Sequence, residues 1–138
     1  MYSRILNLNK SGIVADFSWL SKLEKILKKE FKLKKQISIA LVSGPEIKEL
    51  NRVYRNKNKI TDVLSFELDN DYILGEVLIC LEQARRQAQE KKNTYKGELQ
   101  LLTVHGILHL LAYDHEKSVK EEKRQQEMEQ KILSRLNK

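Results

Sequence analysis

The sequence predicts one α/β domain, of the α+β kind, with a small mixed sheet of about four strands packed against about five helices. Three observations carry this expectation. The length of 138 residues suits a single domain. Apolar residues recur at spacings of three and four in some segments, and alternate or run together in others. The two kinds of segment mix without a regular strand–helix–strand repeat, and no internal repeat or linker divides residues 1–138.

Residues 2–8, YSRILNL, suit a short opening strand. From Asp16, a plausible N-cap, a helical pattern places Phe17, Leu20, Leu23, Ile26, Leu27 and Phe31 on one face. Lys22, Lys25, Lys28, Lys29 and Lys32 occupy much of the rest. Residues 36–43, QISIALVS, are rich in β-branched side chains and read as a strand. Pro45 suits the first turn of the next helix, whose expected inner face is Ile47, Leu50, Val53 and Tyr54. Strands over 63–68 and 73–81 are joined across Asp69-Asn70-Asp71, a connection short enough for an antiparallel pair. Helices are expected over 82–92, about 96–112 and 117–136. The charged run of the last one reads as a solvated face.

Composition narrows the function classes. Charged residues at 33% and hydrophobic residues at 41% describe an ordinary globule. No apolar run approaches the roughly 18–20 residues of a membrane span. The first ten residues are too polar for a signal peptide. The one cysteine, Cys80, excludes a disulfide within the chain and is expected to be buried and inert. These features point to the cytoplasm. The net charge of +7 is uneven: residues 1–60 carry +9 and residues 61–138 carry −2. An excess held in one half suits a polyanionic partner such as RNA.

All three histidines lie in HGILHLLAYDH, residues 105–115. His105 and His109 are four apart, so on a helix both imidazoles leave from one face. His115 can join them if the chain turns back near Ala112–Tyr113. Three neutral imidazoles suit zinc and leave a fourth position for water, whose pKa then falls to about 7. A closed structural zinc would need a fourth protein ligand, and Asp114 and Cys80 are poor candidates for it.

The spacing H-x3-H-x5-H is that of the metzincins and implies a zincin-like metal-site helix. Their general base, a glutamate after the first histidine, is here Gly106, which cannot move protons. A peptidase mechanism therefore fails as written, and the base is unassigned. Glu98, two turns before His105, and Asp114, beside His115, are candidate outer-sphere residues that orient a ligand or water.

The histidine segment resembles the HGxLHLxGYDH signature of the YbeY family of bacterial metal-dependent endoribonucleases. LNRVYRNKNKITDVLSF, residues 50–66, is similar to that family's LNxxYRxxxxxTDVLSF segment, and LGEVLIC, residues 74–80, to its LGDIxIC segment. The three matches fall in the family's order. Two departures are Ala112 for the signature glycine and Glu76 for the usual aspartate. Glycine at 112 would favour a left-handed turn between the second and third ligands, where alanine is less comfortable.

The resemblance implies a single-strand-directed endoribonuclease in ribosomal RNA maturation, notably at the 16S 3′ end, and in ribosome quality control. It implies one zinc ion on His105, His109 and His115, and small-subunit or assembly-protein partners. It places the family's arginine on Arg55, beside the metal cleft. A guanidinium there is a candidate catalytic phosphate clamp, although by composition alone Arg55 is one more surface charge. Two other readings are a zinc-containing ribosome assembly factor that does not cut RNA and, disfavoured by Gly106, a metallopeptidase.

Overall fold

The computed structural model describes residues 6–9, 16–68, 70–111 and 119–138. Along the chain these form β1 (Leu6–Asn9), α1 (Leu20–Phe31), β2 (Gln36–Val42), α2 (Gly44–Arg55), β3 (Val63–Glu67), β4 (Ile73–Cys80), α3 (Leu81–Glu90), α4 (Tyr95–Leu110) and α5 (Val119–Leu136). The strands make one mixed sheet in the order β1-β2-β4-β3. β1 and β2 are parallel, as are β2 and β4. β3 and β4 are antiparallel, with Ser65 opposite Val77. The expected connection across Asp69-Asn70-Asp71 is thus a hairpin, although Asp69 lies outside the described residues.

Alternation along the strands sorts side chains onto two faces. Ile37, Ile39, Val77 and Ile79 join the main core with α1, α4 and α5. Leu64, Leu78 and Cys80 point the other way, where Ile47 of α2 covers them. α4 is buried on nearly every side, from Leu99 through Leu110, because the sheet, α3 and α5 all pack on it. Ala84 and Ala88 are the buried residues of α3, which packs chiefly on α4.

Two local expectations change. Asp16 is not the cap of the first helix: its carboxylate accepts the Ser18 N–H at 3.0 Å, and α1 starts at Leu20 after Trp19. The Trp19 indole N–H donates to the Asp16 carbonyl at 2.8 Å, which tucks Phe17 and Trp19 into the core ahead of the helix. On α2, Val53 and Tyr54 are 54% and 65% exposed rather than inward. Asn51 takes the buried place instead, with its amide donating to the Lys59 carbonyl at 3.0 Å. The start of α2 is as expected for Pro45, and Ser43 and Glu46 complete a capping box.

α5 is tied to α1 by Glu30, whose carboxylate pairs with Lys131 at 3.2 Å and Arg135 at 3.0 Å. Lys131, the larger influence, and Arg135 hold that carboxyl below its ordinary range. Among the described residues no helix is long and apolar enough to cross a membrane.

Candidate active site

α4 is set up to present two histidines at its C-terminal end. Thr94 caps its start by accepting the Gly97 N–H at 2.9 Å. Three turns later Gly106 brings the helix hard against the sheet. A Cβ there would stand 2.7 Å from Val77 Cγ1 and 3.1 Å from Ser65 Oγ. Position 106 therefore has no room for the glutamate of a metallopeptidase. The Ser65 hydroxyl instead donates to the Gly106 carbonyl at 2.9 Å, pinning α4 to β3.

His105 and His109 leave the helix side by side, with ring centroids 4.6 Å apart. Their Nε2 atoms converge to 3.0 Å. Two imidazole nitrogens on one tetrahedral zinc stand about 3.3 Å apart, from Zn–N distances of about 2.0–2.1 Å. The pair therefore suits a shared metal ion. His105 Nδ1, on the far side of its ring, meets the Glu129 carboxylate and lies 3.3 Å from Gln125 Nε2. A carboxylate behind a ligating histidine fixes the tautomer, aims the other nitrogen and raises ligand basicity. Glu129 and Gln125 are both buried although α5 reads as a solvated charge run. The i,i+4 spacing of Gln125, Glu129 and Leu133 was the available signal, but nothing in the sequence pairs it with His105.

The other expected residues divide. Arg55, at the end of α2, reaches the same cleft, and its Nη2 donates to the Ser65 carbonyl at 3.1 Å. Ser65 thus braces Arg55 with its carbonyl and the histidine helix with its hydroxyl. Glu98 is fully buried, and its bonds go to Gln87 and Lys91 rather than to either histidine. The expectation that it orients a ligand is corrected to a place behind the cleft wall; Glu129 holds that position. His115, Asp114 and Ala112 lie outside the described residues. Among the described residues no third histidine, cysteine or carboxylate joins the pair to make a three-ligand group.

The cleft between β3, α2 and α4 is lined by Arg55, Asp62, Val63, Leu64, Ser65, His105 and His109, and has a volume of about 180 Å³. A space below the roughly 300 Å³ of ordinary small-molecule pockets suits one backbone group of a longer chain lying across it. Cys80 takes no part: it is buried, and burial pushes its thiol up, away from the reactive thiolate.

A hydrolase site on a mixed α/β domain is the class that this geometry describes: paired imidazoles, a guanidinium and a carboxylate around a small polar cleft. Comparison with known proteins narrows it. The family model for endoribonuclease YbeY matches residues 4–137. The chain is 46% identical over 107 residues to an endoribonuclease YbeY of Aquifex aeolicus, covering 75% of this chain and 71% of the relative. It is 37% identical to that of Thermodesulfovibrio yellowstonii, covering 96% and 95%. A solution structure from Thermotoga maritima superposes with a TM-score of 0.70 at 34% identity, covering 96% of this chain and 89% of that one. The chain belongs to the YbeY endoribonuclease family, and so to the nucleases among the hydrolases.

Proposed function

We propose that this chain is a zinc-dependent, single-strand-directed endoribonuclease of the cytoplasm. Its place is in ribosomal RNA maturation, at the 16S 3′ end, and in ribosome quality control, with the small ribosomal subunit or its assembly proteins as partners. The observation that carries this reading is the convergence of His105 and His109 Nε2 to 3.0 Å in a cleft that also holds Arg55. In the proposed site His105, His109 and His115 hold one zinc ion. The bound metal supplies positive charge that makes a hydroxide nucleophile available near neutral pH and polarises a phosphoryl oxygen.

The chain's own residues supply the rest. Glu129 and Gln125 orient His105. Arg55 binds a backbone phosphate and offsets charge that grows on its oxygens during displacement. Its placement at a helix end, braced by one carbonyl bond, leaves the rest of its guanidinium fork for phosphate oxygens. The small cleft admits a backbone group from an extended single strand and leaves the bases outside. The lack of space at Gly106 disfavours the metallopeptidase alternative.

Arg55→Ala tests the reading. Cleavage of a single-stranded RNA should fall by at least about 100-fold, the scale of removing one transition-state donor, while metal content stays at the wild-type level. Undiminished cleavage would remove Arg55 from the mechanism. RNA binding by wild type with no turnover would instead favour an assembly factor.

A further inference from the structure

A carboxylate inside a phosphate-binding cleft needs a reason, because it repels the group that Arg55 attracts. Asp62 lines the cleft at the start of β3 and is firmly held. Its backbone carbonyl accepts the Cys80 N–H at 2.9 Å. Its Oδ1 accepts the Val63 N–H at 2.8 Å and the Thr61 hydroxyl at 3.3 Å. Its Oδ2 accepts from Gln87 Nε2 at 3.1 Å.

The same Gln87 nitrogen donates its second proton to Glu98 Oε2 at 2.9 Å. Glu98 is fully buried and is neutralised by Lys91, whose Nζ lies 2.8 Å from Oε1. The Gln87 amide can face only one way. Reversed, its oxygen would meet two carboxylate oxygens; as it lies, that oxygen accepts from Gln83 Nε2 at 3.3 Å. A buried carboxylate, paired with a half-exposed lysine, thus locks an amide, and the amide locks Asp62.

A carboxylate has about four acceptor positions, and three of Asp62's are filled by these bonds. The fourth, on Oδ2, belongs to a residue that lines the cleft. With phosphate oxygens drawn to Arg55, that position calls for a hydrogen-bond donor. A nucleic-acid backbone offers one, the ribose 2′-hydroxyl, and DNA lacks it. We propose that Asp62 accepts the 2′-hydroxyl of a nucleotide flanking the scissile phosphate and so selects RNA over DNA. Gln87 is its positioning residue. The proposal rests on the endoribonuclease reading above.

The test uses a single-stranded RNA oligonucleotide and copies carrying one deoxyribose, placed in turn at each nucleotide flanking the cut. Rates are measured for wild type, Asp62→Ala and Gln87→Met, with metal content and melting temperature as controls. In wild type one deoxyribose position should lower kcat/KM by roughly 10- to 100-fold, the scale of one hydrogen bond to a charged group. Asp62→Ala should be slower on RNA by a similar factor and indifferent to that substitution. Gln87→Met, at a half-buried position, should lose part of the discrimination while keeping its metal. The same deoxyribose penalty in wild type and Asp62→Ala would overturn the proposal, including the case where the 2′-hydroxyl is itself the nucleophile. If Asp62→Ala fails to fold, an undiminished penalty in Gln87→Met overturns it. If wild type cuts no RNA, the endoribonuclease reading fails, and fluorescence anisotropy with RNA and DNA strands of one sequence decides the proposal. Equal preference in wild type and either variant would then refute it.

Discussion

Ser65 and Gly106 are small residues that set the position of larger ones. Ser65 links α4 to β3 through the Gly106 carbonyl and links β3 to Arg55 through its own. Gly106 allows that approach because it has no Cβ to strike Val77. Adding one methyl group there forces the helix away from the sheet. Gly106→Ala should lower stability by about 1–3 kcal/mol, the range for overpacking a tight contact. Thermal unfolding of the variant checks this. An unchanged melting temperature would mean that α4 yields without cost, and that the glycine is not what seats the histidines. From the sequence, Gly106 signalled only a missing base; its packing role depends on Val77 and Ser65, which are remote along the chain.

Among elements, the pairing of α4 with α5 decides the site. α4 supplies the two imidazoles, and α5 supplies the carboxylate that fixes one of them. Glu129→Ala should leave the fold intact and weaken metal binding by about 10- to 100-fold, as loss of such a partner does elsewhere. Competition with a chelator measures this, and affinity equal to wild type would assign Glu129 to packing alone. The helices, the strands and the histidine spacing were legible because each follows from a local periodicity. The turn around Asp16 was not, since a tryptophan's indole bond displaced the helix start. Nor was the face of α2, where Asn51 is buried for a carbonyl eight residues away. Glu98 was placed on the correct helix but assigned the wrong neighbours, because helical spacing gives direction and not the identity of the facing element. Glu129 was missed for the same reason.

At the scale of the whole molecule, the lysine-rich first helix and the cleft do not coincide, although Arg55 of the same basic half lines the cleft. The lysine-rich face of α1 belongs to the β1 edge of the sheet, with α1 packed on β1 and α5. The cleft stands beside β3, at the opposite edge. Three strand spacings separate these edges, about 14 Å. An RNA that touches both must extend well beyond the cut. Replacing the exposed Lys25, Lys29 and Lys32 with Gln should therefore spare cleavage of very short oligonucleotides. Binding of long RNA should weaken, and its log–log salt slope should shrink by about 2, near 0.7 per lost phosphate contact on a single strand. An unchanged salt slope would make that face a solvated one. The proposed function requires the histidine pair to hold a catalytic metal for RNA cleavage. It is tested most directly by metal content from mass spectrometry on wild type and His109→Ala, with RNA cleavage assayed on the same samples. The expected result is about one zinc per wild-type chain, with metal and cleavage both lost in the variant. Cleavage that persists in metal-free His109→Ala, or gently purified wild type that cuts RNA without metal, would contradict it.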